Sequence, residues 1–85
     1  MSPRYVFSRH AKNRMRHNEP KIAEAEAIAV VEKPDKTTPS EEGRTNAWKQ
    51  RESDWLRVTY IAERGAITIV TVTVTPRGPE RRRRR

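Results

Sequence analysis

Apolar and polar residues alternate with two different periods along the chain, and each period predicts a different element. Runs rich in aromatic and β-branched residues at 4–7, 55–62 and 66–75 indicate strands. In the second run, Leu56, Val58, Tyr60 and Ala62 alternate with Arg57, Thr59 and Ile61. In the third run the valines alternate with threonines, which predicts an apolar face of Val70, Val72 and Val74 and a hydroxyl-bearing face of Thr71, Thr73 and Thr75.

Two helices are predicted between the first strand and the rest of the chain. Ser8 stands at an N-cap position, where its hydroxyl accepts a hydrogen bond from an amide of the first turn. The helix then extends over residues 9–17, with Ala11 and Met15 as its apolar stripe. A second helix is predicted from about 20 to 32, with Pro34 stopping it and an apolar stripe of Ile22, Ala25, Ile28 and Ala29.

The remaining segments predict further short strands joined by turns. Thr37 and Thr38 are predicted to form a short strand that Pro39 either places at a sheet edge or ends, and 44–51 is predicted to form a mostly polar strand. Glycine and acidic residues mark turns after each of them. The order is therefore β-α-α followed by three or four strands. Short connections favour antiparallel pairing, so we expect an α+β fold with both helices on one face of the sheet.

Length and composition limit what this chain is built to do. Its 85 residues form one small domain, which we place at 1–76, and 77–85 contain no apolar residue and are predicted to be a disordered arginine-rich tail. The absence of cysteine excludes disulfides and thiolate metal sites. No apolar run approaches the roughly 20 residues of a membrane span, and no signal-peptide pattern opens the chain. The cytoplasm is the expected location.

The positive charge is concentrated at the two ends. Residues 1–17 hold five basic and no acidic residues, residues 18–76 hold eight basic and ten acidic residues, and residues 77–85 hold six arginines and one glutamate. A net charge of +8 with this distribution indicates a polyanionic partner. The alternative is that the basic ends only keep a small protein soluble.

His10, Arg14 and His17 fall on one face of the first predicted helix. A histidine transfers protons near neutral pH and an arginine holds a phosphate, which are the two requirements for cutting RNA without a metal. The alternative is an ordinary solvated helix face. The same two histidines lie two turns apart with no carboxylate at ligand spacing, so we predict no metal site.

Arg57 is a charged residue in the middle of a predicted strand. With Thr71 and Thr73 it offers one charge and several hydroxyl groups to phosphates if the sheet has an open binding face. The alternative is a solvated face, on which the threonines occur only because threonine favours the strand conformation. Trp48 and Trp55 are candidates for stacking on bases, but tryptophan in so small a domain is more often part of the core.

Several segments together resemble a known family. They are Phe7-Ser8-Arg9-His10-Ala11 with Arg14-Met15, then Pro34-Asp35, Leu56 to Tyr60 and Ile69 to Val72. They are similar to an uncharacterised prokaryotic domain family with the pattern F-S-x-H-A-x-x-R-M, which is placed near the RelE and BrnT toxins. The resemblance covers about residues 5–75. Residues 16–20 depart from the family's glycine-containing turn, and the arginine tail is not part of its pattern.

The resemblance implies a RelE-like fold and a metal-independent endoribonuclease of a toxin–antitoxin system, without a cofactor. By position, His10 is the leading catalytic residue, with Arg14 beside it and Arg57 on the sheet. The expected partners are RNA, in a ribosome-associated form or free, and an acidic antitoxin protein. The residues expected to contact RNA are Arg9, Lys12, His17, Thr71, Thr73, Arg81, Arg82 and Arg83. The alternative is a non-catalytic nucleic-acid-binding or protein-interaction module with the same fold.

Overall fold

The structure, a computed structural model, describes residues 4–17 and 21–78. These residues form two helices and five strands in the predicted order, with one 3₁₀ turn at Glu41–Gly43. The α+β class is therefore confirmed. The elements are β1 (Arg4–Phe7), α1 (Arg9–His17), α2 (Glu24–Glu32), β2 (Lys36–Pro39), β3 (Thr45–Gln50), β4 (Trp55–Glu63) and β5 (Ala66–Thr75).

The five strands form one mixed sheet in the order β1-β5-β4-β3-β2. The four strands after the helices pair antiparallel through their short connections, as predicted, and β2 with Pro39 lies at an edge. β1 instead pairs parallel with β5, with Phe7 opposite Ile69. The amide of Ser8 extends this pairing by donating to the Ile69 carbonyl at 3.0 Å. The first strand is thus held by the last one.

Both helices cover the same face of the sheet, which we call the helix face. Their buried residues share one core with every second residue of the central strands, which confirms the predicted layering. That core consists of Ala11, Met15, Ile22, Ala27, Val30, Ala47, Leu56, Val58, Ile69 and Val72. The opposite side, the open face, carries the residues that alternate with these along the strands, among them Trp48, Trp55, Arg57, Thr59, Thr71 and Thr73.

A β-bulge at Val70 changes the alternation of β5. Thr59 pairs with Thr71, but Tyr60 pairs with Ile69, so Val70 is an extra residue without a partner on β4. Ile69 is fully buried, whereas Val70 is only half-buried. The prediction that Val70 shares the apolar face with Val72 was therefore wrong, because the bulge gives that position to Ile69.

The start and the buried stripe of α2 also differ from the prediction. Residues 21–23 are not helical, and α2 begins at Glu24. Ile22 is buried in the connection before the helix, where its amide donates to the Met15 carbonyl at 3.3 Å. Ile22 is therefore not part of the helix, and the buried side of α2 does not continue the spacing that starts at Ile22. Ala27 and Val30 are buried, whereas Ala25 and Ala29, which the stripe placed in the core, are exposed. The predicted end before Pro34 is confirmed.

The chain turns back onto the open face after β5. The Thr75 hydroxyl donates to the Arg77 carbonyl at 2.7 Å. Gly78 then lies against the Trp55 indole, so closely that a methyl group on Gly78 would overlap the ring. The rest of the predicted tail, residues 79–85 with Arg81, Arg82 and Arg83, lies outside the described residues. Neither α1 nor α2 combines the length and the apolar character that a membrane crossing requires.

Candidate functional site

Ser8 fixes the position of α1 on the sheet. Its Oγ accepts a hydrogen bond from the Ala11 amide at 3.0 Å, which confirms the predicted N-cap. The same hydroxyl donates to the Val70 carbonyl at 2.9 Å, at the bulge of β5. The Ser8 side chain therefore links the first turn of α1 to the β-bulge at Val70 by two hydrogen bonds. With Ala11 and Met15 buried, the remaining sides of the helix face outward.

The outward sides of α1 carry a concentration of positive charge. We call Arg9, Lys12, Arg14 and Arg16 the α1 basic surface; all four are exposed. No acidic residue occurs in residues 1–17, so α1 itself adds no negative charge to this surface. The bases of the last turn, Arg14, Arg16 and His17, also complement the negative end of the helix dipole.

His10 and Arg14 lie one turn apart on the exposed side of α1, as predicted. His17 lies at the end of the helix, where its Nδ1 is 2.8 Å from the Asn13 carbonyl oxygen. At 3.6 residues per turn, His10 and Arg14 lie on one exposed flank of α1, and Arg9, Lys12 and Arg16 lie on the other.

Arg57 does not join this group. Its neighbours in β4, Leu56 and Val58, are fully buried on the helix face, so Arg57 projects from the open face. The sheet lies between it and the helix that carries His10 and Arg14. The hypothesis of one catalytic cluster of His10, Arg14 and Arg57 therefore lacks the required geometry. The sequence spacing did not show this, because the face of Arg57 depends on where the helices pack.

The Arg57 side chain is held against an aromatic ring. Its guanidinium carbon lies 5.7 Å from the centroid of the Trp48 ring, a cation–π arrangement. In the sheet, Arg57 is opposite Trp48 of β3 on one side and opposite Thr73 of β5 on the other. The Nε of Arg57 is buried and has no hydrogen-bond partner within the described residues.

A hydrogen-bond network on the open face keeps Trp48 in place. The Trp48 Nε1 donates to the Thr38 hydroxyl at 2.9 Å. The Asn46 amide donates to the same hydroxyl at 3.4 Å, and the Thr59 hydroxyl donates to the Asn46 carbonyl oxygen at 2.6 Å. Trp48 is only 8% exposed and Thr59 6% exposed, although both lie on the uncovered side of the sheet.

The two tryptophans contact each other rather than a solvent-filled groove. Their ring centroids are 6.5 Å apart with planes at 77°, an edge-to-face contact. Trp48 is buried, and Trp55 is half-buried beneath Gly78. These contacts favour the core interpretation of both residues over base stacking. Thr71 and Thr73 are half-buried on the same face, on the strand beside Arg57.

One phenol group and one carboxyl group outside these surfaces have shifted pKa values. Burial raises the pKa of Tyr5, and the Glu32 carboxylate, 3.4 Å from its hydroxyl, adds to this. The hydrogen bond from the Gln50 amide, at 2.9 Å, lowers the pKa of Asp35, and Lys49 acts in the same direction. In residues 4–17 and 21–78, no three histidine or acidic side chains are placed to hold a metal ion.

Sequence reasoning missed a cleft of about 410 Å³ between α2 and the end of β3. Ala29, Val30 and Leu56 form part of its apolar wall, and Lys33 and Lys49 stand among its charged lining residues. The sequence signal for this cleft is the small side chain of Ala29, which leaves space on α2 but which the predicted apolar stripe assigns to the core.

Comparison with known protein families, with curated proteins and with solved structures finds no match for this chain.

Proposed function

We propose that this protein binds a nucleic acid, with RNA as the ligand, through the α1 basic surface. The supporting observation is that four cations extend from one short exposed helix in a stretch with no acidic residue. Such a surface attracts phosphate groups because each contact releases condensed counterions. At about 1.5 Å per residue, α1 is about 13 Å long, so its cations lie close enough together to contact neighbouring phosphates of one strand.

The length and charge of α1 also set the expected strength of binding. Phosphate contacts fix position without reading sequence, so we expect binding with little sequence preference and a steep dependence on salt. Each neutralised phosphate of a single strand contributes about 0.7 to the slope of log K against log salt. Arg9, Lys12 and Arg16 together therefore account for about two units of slope.

Cleavage of RNA without a metal is the second candidate, and the position of His10 favours it. His10 lies one turn from Arg14 on the α1 basic surface. In this proposal its imidazole takes the proton of a ribose 2′-hydroxyl, the 2′-oxygen bonds to phosphorus, and the bond to the 5′-oxygen breaks. Arg14 stabilises the charge on the phosphorus oxygens, and the imidazolium returns its proton to the 5′-oxygen. His17 lies about 10 Å further along the axis, too far to act on the same phosphate.

A charge-matched pair of variants tests binding. Fluorescence anisotropy with a labelled single-stranded RNA compares Arg9→Gln/Lys12→Gln/Arg16→Gln with Lys21→Gln/Lys33→Gln/Lys36→Gln. Both triple variants lose three exposed positive charges, but only the first loses them from α1. We expect the α1 variant to lose about two units of salt slope and the control to lose less than about half a unit. An equal loss in both variants would mean that net charge alone drives binding.

Two histidine variants test cleavage. The assay follows RNA fragments in excess EDTA for the wild type, His10→Gln and His17→Gln. Cleavage that His10→Gln abolishes and His17→Gln retains supports the catalytic role of His10. Cleavage by all three proteins contradicts that role. An intact substrate with the wild type, on free RNA and on ribosomes, contradicts catalysis and leaves the binding proposal standing.

A further inference from the structure

The centre of the open face holds a cation that has no anionic partner in the described part of the chain. Arg57 makes no ion pair and no side-chain hydrogen bond within the described residues; its one described side-chain interaction is with the Trp48 ring. Arg44, which lies directly before β3, offers a comparison. Its Nε is also buried without a partner, but its NH2 group lies 3.4 Å from the Glu42 carboxylate. The guanidinium of Arg57 has no such partner among the residues that the structure describes.

The fold restricts the position of this guanidinium before any ligand arrives. Trp48, over which it lies, is buried and fixed by its hydrogen bond to Thr38. The covered Nε has no acceptor within residues 4–17 and 21–78, which leaves a strong donor unsatisfied in this part of the chain. A preorganised arginine loses less side-chain entropy on binding than a free one. The arrangement therefore suits recognition of an anion better than it suits stability alone.

Two hydroxyl groups flank the arginine on the neighbouring strand. Thr73 is directly opposite Arg57, and Thr71 is the next residue on the same face. Neither hydroxyl makes a hydrogen bond to another described residue, whereas the Thr59 hydroxyl is committed to Asn46. The open face thus presents a planar guanidinium and two available hydroxyl donors side by side.

We infer that Arg57, Thr71 and Thr73 form a binding site for a phosphate group on the open face. A guanidinium pairs with two oxygens of an oxyanion, and the hydroxyls supply donors for the further oxygens that a phosphate has and a carboxylate lacks. The site lies on the side of the sheet away from α1 and does not rest on the proposed function. Its ligand is a phosphomonoester or a phosphodiester, both of which present at least two terminal oxygens together with further oxygens on the same phosphorus.

Side-chain NMR signals give a direct test. Inorganic phosphate is titrated into ¹⁵N-labelled protein at constant ionic strength, and the Nε–Hε signal of Arg57 and the Nε1–Hε1 signal of Trp48 are followed. We expect saturable shifts in both signals of the wild type. In Arg57→Lys, where the Trp48 signal alone is followed, we expect the affinity to fall about tenfold or more, because lysine keeps the charge but loses the planar fork. Thr73→Val, which keeps the shape but loses the hydroxyl, also weakens binding. Arg64→Gln, in the exposed turn between β4 and β5, is the control and leaves both shifts unchanged.

Three outcomes contradict the inference. They are shifts that do not saturate, shifts of equal affinity in Arg57→Lys and wild type, and shifts reproduced by acetate at the same ionic strength. Uridine 5′-monophosphate and a dinucleoside monophosphate then distinguish the two sources of phosphate, since one offers a monoester and the other a diester. The α1 triple variant separates this inference from the proposed function, because it loses RNA binding while the Arg57 response to phosphate remains.

Discussion

The two faces of the sheet exclude water by different means. On the helix face, Leu56, Val58 and Val72 are fully buried under aliphatic side chains of α1 and α2. On the open face no helix of the described chain covers the strands, yet Trp48 and Thr59 are nearly as buried. There the side chains cover each other through an edge-to-face ring contact, a cation–π contact and a chain of hydrogen bonds.

This difference shows that burial and hydrophobicity are separate properties of a strand position. Val58 and Thr59 are neighbours in β4 with relative exposures of 0% and 6%. One is stabilised by removal of apolar area from water and the other by a hydrogen bond with a fixed partner. The helix face is therefore expected to respond mainly to lost volume, and the open face to lost partners.

The largest effect is expected from removing volume on the helix face. Leu56→Ala leaves a cavity in the core and is expected to reduce the free energy of unfolding by about 2–5 kcal/mol. Ile61→Ala removes a half-buried side chain from the open face and is expected to cost less than half as much. Urea denaturation of both variants measures the difference. Equal losses would show that the two faces are not distinct in packing.

A reciprocal pair at adjacent positions of β4 tests the distinction more finely. Val58→Thr places a hydroxyl without a partner in the apolar core and is expected to cost about 1–3 kcal/mol. Thr59→Val leaves the Asn46 carbonyl oxygen without its 2.6 Å donor and is expected to cost about 1 kcal/mol. Both free energies come from thermal and chemical unfolding. A neutral Val58→Thr would contradict the apolar character of the helix face.

The link between α1 and the sheet gives the next largest effect. Ser8→Ala removes both the cap of α1 and the hydrogen bond to the Val70 carbonyl, so a loss of about 1–2 kcal/mol is expected. Ser53→Ala, at an exposed position in the turn before β4, serves as the control and is expected to stay within about 0.5 kcal/mol. A loss of the same size in both variants would mean that Ser8 does not fix the helix.

The smallest effect is expected at the exposed rim, where Asp35 accepts the Gln50 amide. Its pKa is lowered below 3.8 in the folded protein, so its contribution to stability is full above the unfolded value and is lost as pH falls through the folded value. The difference in Tm between wild type and Asp35→Asn is therefore expected to shrink as pH is lowered from about 5 to about 3. A difference that grows over this range would reverse the assigned sign.

Local signals in the sequence predicted most of the architecture. The cap at Ser8, the stop at Pro34 and the edge position of Pro39 each depend on the chemistry of one residue and its neighbours, and the structure confirms all three. The layering also followed from pattern, because alternation in β4 assigns its residues to two faces. These features need no knowledge of distant segments.

The features that the sequence did not reveal all depend on distant contacts. The bulge at Val70 meets Ser8, a residue 62 positions away, and no local pattern reports that contact. The phase of α2 depends on Ile22 being anchored to Met15 before the helix starts. Arg57 and His10 are separated because both helices pack on the side of the sheet opposite to Arg57. For the candidate site, exposure of the α1 bases was predictable, but their distance from Arg57 was not.

The pairing of β1 with β5 also determines the order in which the strands of the sheet can fold. Residues 4–17 are made before Ile69 and Val70, the residues of β5 that hold them in place. The antiparallel strands β2 to β5 can assemble through short loops, whereas β1 must close a loop of more than 60 residues. During synthesis, the segment that bears the α1 basic surface thus emerges before the strand that holds it, and it can be placed only after that strand has been made.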